Sequence, residues 1–189
     1  MLSVPSSLSY LLPFAMEDGS LHVLMLPWLA FGHLLPFLEL SKSFALKGHR
    51  ITFLTTPRNA ARLPKISPPI SHLIDFIKLP LPQIDQLPQN AEATIDLPSD
   101  DLRPYLRKAF DSLSQKLSDL LQNKQISSPD CIVFDYAAYW VPSIAAKFGV
   151  SCMFFALHNA ATLSFIGPPS SLLGGAGARS TAEEFTVLP

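Results

Sequence analysis

Two hydrophobic periods alternate along this chain. His22–Leu26 (HVLML) is short and almost wholly apolar, the pattern of a strand buried on both faces. From His33 to Leu46 the apolar positions Leu34, Phe37, Leu38 and Ala45 fall on one broad helical face, and Gly48 ends it. Pro36 lies in the first turn, where a missing N–H does little harm. Arg50–Thr55 (RITFLT) is a second strand, followed by a turn or short helix from Thr56-Pro57 to Ala61. Ile74 to Leu79 is a third strand. It sits among Pro64, Pro68, Pro69, Pro80, Pro82, Pro88 and Pro98, a density that excludes continuous helix and predicts a long surface excursion ordered only in patches. Ser99 to Asn123 predicts one long helix carrying Leu102, Leu106, Phe110, Leu113, Leu117, Leu120 and Leu121, with Ser99, Asp100 and Asp101 at its start and Pro104 in its first turn. Cys131 to Phe134 is a strand leading into Asp135. Tyr139 to Phe148 is a helix stopped by Gly149, Ser151 to Phe155 a strand, and Asn159 to Ile166 a helix. Strand and helix in alternation call for an α/β fold, a parallel sheet with helices on both faces.

The ends of the chain differ from its middle. Residues 1–18 contain an apolar stretch, Leu8 to Ala15, that is short, broken by Pro13 and preceded by no Lys or Arg. It lacks the charged start of a secretory signal and is too short to span a bilayer. It reads as a disordered extension, with Met16 an alternative start and a weak signal peptide the minor alternative. Residues 19–170 form the predicted domain. Residues 171–189 carry Gly174, Gly175 and Gly177 and read as a flexible tail.

Composition narrows the function. The 189 residues carry a formal charge of −1 and are 48% hydrophobic, enough to bury a core of ordinary size. Near-neutral charge with scattered Lys and Arg argues against nucleic acid as partner. Cys131 and Cys152, each in an apolar strand, read as reduced core thiols, which together with the missing signal point to a cytoplasmic protein without stable membrane insertion. No cluster has metal-ligand spacing, and no Gly-rich phosphate loop follows the first strand.

The candidate chemistry lies where strands end. His33 follows the first strand through a short loop, and Asp135 directly follows Phe134. Both should emerge on the carboxyl edge of one sheet, where open α/β folds bind ligands. A carboxylate beside an imidazole orients it and stabilises its protonated form, making it a competent base toward a hydroxyl group. The plainer alternative is an unrelated pair of helix-capping residues. Trp28, Phe31, Tyr136, Tyr139 and Trp140 cluster near that edge as candidate walls of a small-molecule pocket, or as ordinary core packing. His158 follows the last strand, where it lines the pocket or is a simple turn residue. His22 is expected at the surface end of its strand, His49 at a helix exit and His72 in the proline-rich excursion.

Two segments carry a resemblance. LHVLMLPWLAFGHLLPFLELSKSFALKGHRITFLTTPRNAARL resembles the amino-terminal start of plant UDP-dependent glycosyltransferases of family 1, and PDCIVFDYAAYWVPSIAAKFGVSCMFFALHNAATLSF resembles the later part of the same half. The nearest look is to the branch of rhamnosyl- and glucosyltransferases that act on flavonoid, saponin or terpenoid glycosides. The resemblance implies the amino-terminal, acceptor-binding domain of a GT-B fold, two Rossmann-like domains with the active site between them. It implies that His33 removes the proton from an acceptor hydroxyl and that Asp135 holds the imidazole. The oxygen then displaces UDP from a UDP-sugar with inversion, without a metal or other cofactor. It further implies a small hydroxyl residue after the strand Ser151 to Phe155, where this chain has Leu157-His158-Asn159, and a carboxy-terminal donor signature that this chain does not contain. The expectation is therefore the amino-terminal half of a transferase, inactive alone, whose main donor-binding residues are not in this sequence. The alternative is a non-catalytic module that binds an acceptor or a partner.

Overall fold

Three β-rich runs and two returning strands build one parallel sheet. The structure, a computed structural model, describes residues 19–167 together with 181 and 183. The expectations for residues 1–18, and for nearly all of 171–189, lie outside the described residues. In chain order the elements are β1 (His22–Leu26), α1 (Phe31–Ala45), β2 (Arg50–Thr55), α2 (Pro57–Arg62), α3 (Pro68–Ser71), β3 (Ile74–Lys78), α4 (Arg103–Asp111), α5 (Leu113–Gln122), β4 (Cys131–Phe134), α6 (Val141–Phe148), β5 (Ser151–Phe154) and α7 (Ala160–Ile166). The strand order is β3-β2-β1-β4-β5, every pair parallel, with Leu24 opposite Thr52 on one side and Ile132 on the other.

Successive strand residues point to opposite faces, so the sheet divides the core in two. Leu24, Leu26, Leu54, Ile132 and Phe134 pack with Leu106, Phe110, Leu113 and Leu117 of α4 and α5 and with Ile144 of α6. Val23, Met25, Ile51, Phe53 and Val133 pack with Leu34, Phe37 and Leu38 of α1. Helices therefore cover both faces, as parallel strands require.

The structure departs from the sequence reading in five places. The long helix is two, broken at Ser112. The Ser112 hydroxyl donates to the Ala109 carbonyl at 2.6 Å and the Ser114 hydroxyl to the Asp111 carbonyl at 2.6 Å, so both compete with the helical ladder. The helix expected from Tyr139 begins instead as a short 3-10 turn, Tyr136–Ala138, before α6 starts at Val141 with Pro142 in its first turn. The proline-rich excursion contains α3 and is packed rather than loose. Leu79, Leu87, Ala91 and Ala93 are buried, and Thr94 N–H donates to the Leu29 carbonyl at 2.9 Å. His22 is buried, not superficial; its Nε2 lies 2.8 Å from Thr52 Oγ1, and burial, reinforced by Arg50, pushes its pKa down. Cys131 is buried, but Cys152 is exposed, because β5 is an edge strand with all four residues exposed.

Arg58 and Asn59 of α2 reach the excursion at Asn90 and Glu92, and one buried carboxylate gathers the most donors there. Asp96 accepts from Arg62 Nη1 and Nη2 at 3.1 and 2.6 Å and from the backbone N–H groups of Glu92 and Ala93, both at 3.0 Å. Burial alone would raise its pKa, but these donors outweigh burial and hold it below the usual carboxylate range.

Candidate functional site

The sheet order creates the site. The chain runs outward from β1 through β2 to β3, then crosses to the other side of β1 for β4 and β5. The connections leaving β1 and β4 therefore diverge, and a crevice opens between their carboxyl ends. The loop after β1 delivers Trp28 and, in the first turn of α1, His33. The end of β4 delivers Asp135.

Asp135 is 1% exposed and gathers three donors from two crossings of the sheet. Its Oδ1 accepts from Ala137 N–H at 2.9 Å, capping the 3-10 turn that follows. Its Oδ2 accepts from Trp28 N–H at 2.7 Å, fixing the β1 loop, and lies 2.8 Å from His33 Nδ1. An ionised carboxylate only accepts, so Nδ1 carries the proton and Nε2 presents its lone pair. Among the described residues no protein group is hydrogen-bonded to Nε2. The His33 side chain is 16% exposed, and Tyr136 meets it edge-on with ring centroids 5.5 Å apart. An oriented imidazole with an open Nε2 at a crevice mouth can accept a proton from a bound hydroxyl.

The aromatic residues do not form a single wall. Trp28 is buried and packs edge-on against Phe110 at 5.1 Å, on the α4 side of the sheet. Phe31 is half-buried and packs on the opposite side, with the α1 core. Tyr136 and Tyr139 are exposed. Trp140 is half-buried against the α4 side, and its Nε1 donates to Asp111 at 3.2 Å. His158 is exposed in the bend between β5 and α7, and no hydrogen bond among the described residues joins it to His33 or Asp135. Arg107 and Asp111, beside Trp28 and Tyr139, were not singled out from sequence. The available signal was an i,i+4 charge pair on a helix whose other face is apolar, a common pattern on solvent-facing helices. Among the described residues no group of three His, Cys, Asp or Glu is placed to hold a metal ion, and no helix is long and apolar enough to cross a membrane.

Known proteins share this sequence and fold. The chain is 52% identical over 173 residues to UDP-glycosyltransferase 91C1 of Arabidopsis thaliana, covering 92% of this chain and 36% of that protein. This chain belongs to the plant UDP-glycosyltransferases. Another relative of this glycosyltransferase chain, the soyasaponin III rhamnosyltransferase of Glycine max, is 39% identical over 173 residues, with 92% and 36% of the two chains covered. The crystal structure of Arabidopsis thaliana UGT89C1 superposes with a TM-score of 0.69 at 27% identity, covering 78% of the glycosyltransferase chain and 37% of that one. The parallel sheet with helices on both faces is thus the amino-terminal domain of the GT-B fold. The chain spans about a third of the length of the curated relatives it matches. No protein-family model matches it.

Proposed function

We propose that this chain supplies the acceptor-binding and base-bearing part of an inverting UDP-sugar glycosyltransferase acting on a hydroxyl of a plant secondary metabolite. The observation that carries the reading is the His33–Asp135 hydrogen bond at the crevice between β1 and β4. An acceptor hydroxyl bound against His33 gives its proton to Nε2 while its oxygen bonds to the anomeric carbon of the UDP-sugar. The bond from that carbon to the UDP oxygen breaks, UDP leaves with the electron pair, and attack opposite the leaving group inverts the configuration. Asp135 keeps Nδ1 protonated and the ring oriented, and faces the positive charge that develops on it. Tyr136 lies against the imidazole and forms part of the acceptor's path. UGT89C1 has been solved with UDP-L-rhamnose and with quercetin, which supports a nucleotide sugar and a phenolic acceptor as substrate classes.

The donor-binding signature is absent from this sequence, so the 189 residues alone should transfer little or no sugar. Fused to the carboxy-terminal remainder of UDP-glycosyltransferase 91C1, the chain should transfer sugar from UDP-glucose or UDP-L-rhamnose to a flavonoid acceptor. In that fusion His33→Ala should lower the rate by about 10²–10⁴. Undiminished transfer after that substitution would refute His33 as the base.

A further inference from the structure

The amino end of the sheet holds a recess remote from the dyad. His22 begins β1 and His33 follows its far end, so the strand's length, roughly 13 Å at about 3.3 Å per residue, lies between them. Strand register puts the polar residues of the recess on one face. His22 stands beside Arg50, and Thr52 stands between Leu24 and Asp75. Side chains alternate along each strand, so His22, Arg50, Thr52, Asp75 and Ile77 share the Leu24 face, which α5 covers. α5 ends at Gln122, and the chain passing on to β4 crosses that face with Ile126 buried against the core and Gln125 and Ser127 exposed. Strand face and crossing chain enclose about 220 Å³.

The groups that line this recess are largely unspent. Arg50 and Asp75 are exposed on neighbouring strands, yet among the described residues neither side chain forms an ion pair or a hydrogen bond. His22 is only 7% exposed, and its Nε2 lies 2.8 Å from Thr52 Oγ1. Its Nδ1 is buried with no hydrogen-bond partner of normal geometry among the described residues, whereas buried polar atoms are normally paired. Burial, reinforced by the charge of Arg50, lowers the His22 pKa, so the ring is neutral at pH 7 and does not repel a cation beside it.

The chemistry selects the ligand. A simple anion that suits Arg50 is repelled by Asp75, and a simple cation that suits Asp75 is repelled by Arg50. A molecule carrying both charges suits both. The space, about 220 Å³, is smaller than the roughly 300–1,000 Å³ of sites for drug-sized ligands, so that molecule is small. Ile77 and Ile126 add an apolar strip beside the charges. We propose that this recess binds a free aliphatic α-amino acid, with its carboxylate on Arg50, its ammonium on Asp75 and its side chain against Ile77 and Ile126. The site is separate from the crevice that holds His33 and Asp135, and nothing in it depends on sugar transfer.

The 189-residue chain can be titrated calorimetrically at pH 7 with L-leucine, with its deaminated analogue 4-methylpentanoate and with its decarboxylated analogue isoamylamine. Leucine should bind saturably, and each analogue, lacking one charge-assisted contact, should bind about tenfold more weakly or worse. Arg50→Gln and, separately, Asp75→Asn should each weaken leucine by about tenfold. Both positions are exposed, so the thermal unfolding midpoint of each variant should stay at the parent's, which separates loss of the site from loss of the fold. No saturable leucine binding, full affinity for either analogue, or full leucine affinity in both variants would each overturn the proposal.

Discussion

Asp135 accepts hydrogen bonds from His33, Trp28 and Ala137, so one buried side chain fixes a helix start, a loop and a 3-10 turn together. Asparagine there would turn an N–H₂ toward at least one of these donors and leave a buried polar group unsatisfied. Asp135→Asn should destabilise the chain by about 2–3 kcal/mol, read from chemical denaturation. His33→Ala removes a partly exposed ring and only one of the three donors, so it should cost less. An Asp135→Asn chain as stable as the parent would show that the carboxylate does not organise the crevice. The positions of His33 and Asp135 after strands were legible in the sequence, since each lies within a few residues of an apolar run. The pairing of Arg107 with the aromatic residues was not, because it joins α4 to residues 79 positions earlier and 32 later.

At the scale of elements, apolar periodicity located the strands and most helices, because each is decided by neighbouring residues. Misreadings came where side chains compete with or supplement the backbone. Ser112 and Ser114 break a helix whose leucine spacing runs on without interruption. The proline-rich excursion is fastened by long-range contacts, among them Asp96 reaching back 34 residues to Arg62 and Glu92 to Arg58 and Asn59. Asp96→Asn should cost about 2 kcal/mol at neutral pH, a modest figure because Arg62 is partly exposed. The sign with pH follows from its lowered pKa. The folded state holds the Asp96 proton less tightly than the unfolded chain does, so its contribution is present above about pH 5 and is lost as pH falls through the folded value. The difference in unfolding free energy between parent and variant should therefore shrink on acidification from pH 6 to pH 3. A constant difference would mean that the ion pair contributes nothing specific.

Across the whole molecule, sheet order decides which groups are reachable. Cys131 is on β4, inside the sheet, and burial pushes its thiol up to about 11, whereas Cys152 is on the edge strand β5 and exposed. At pH 8 iodoacetamide should modify one thiol of the folded chain, Cys152, and both after denaturation, as peptide mass mapping would show. Rapid labelling of Cys131 in the folded chain would contradict the strand order. Sequence alone gave these cysteines the same surroundings, since each lies in a short apolar strand, and nothing local distinguishes an inner strand from an edge.

The amino-acid order determined the alternation of strand and helix, and with it a parallel sheet whose carboxyl edge carries His33 and Asp135. These are local properties, set by side-chain period and by the residues that begin and end each element. The order of strands, the burial of His22, the exposure of Cys152, the bond between imidazole and carboxylate, and the seating of Arg107 were decided only when the chain crossed from β3 over β1 to β4. That crossing brings together residues about a hundred positions apart, and such contacts depend on packing the two faces of the sheet rather than on any local pattern.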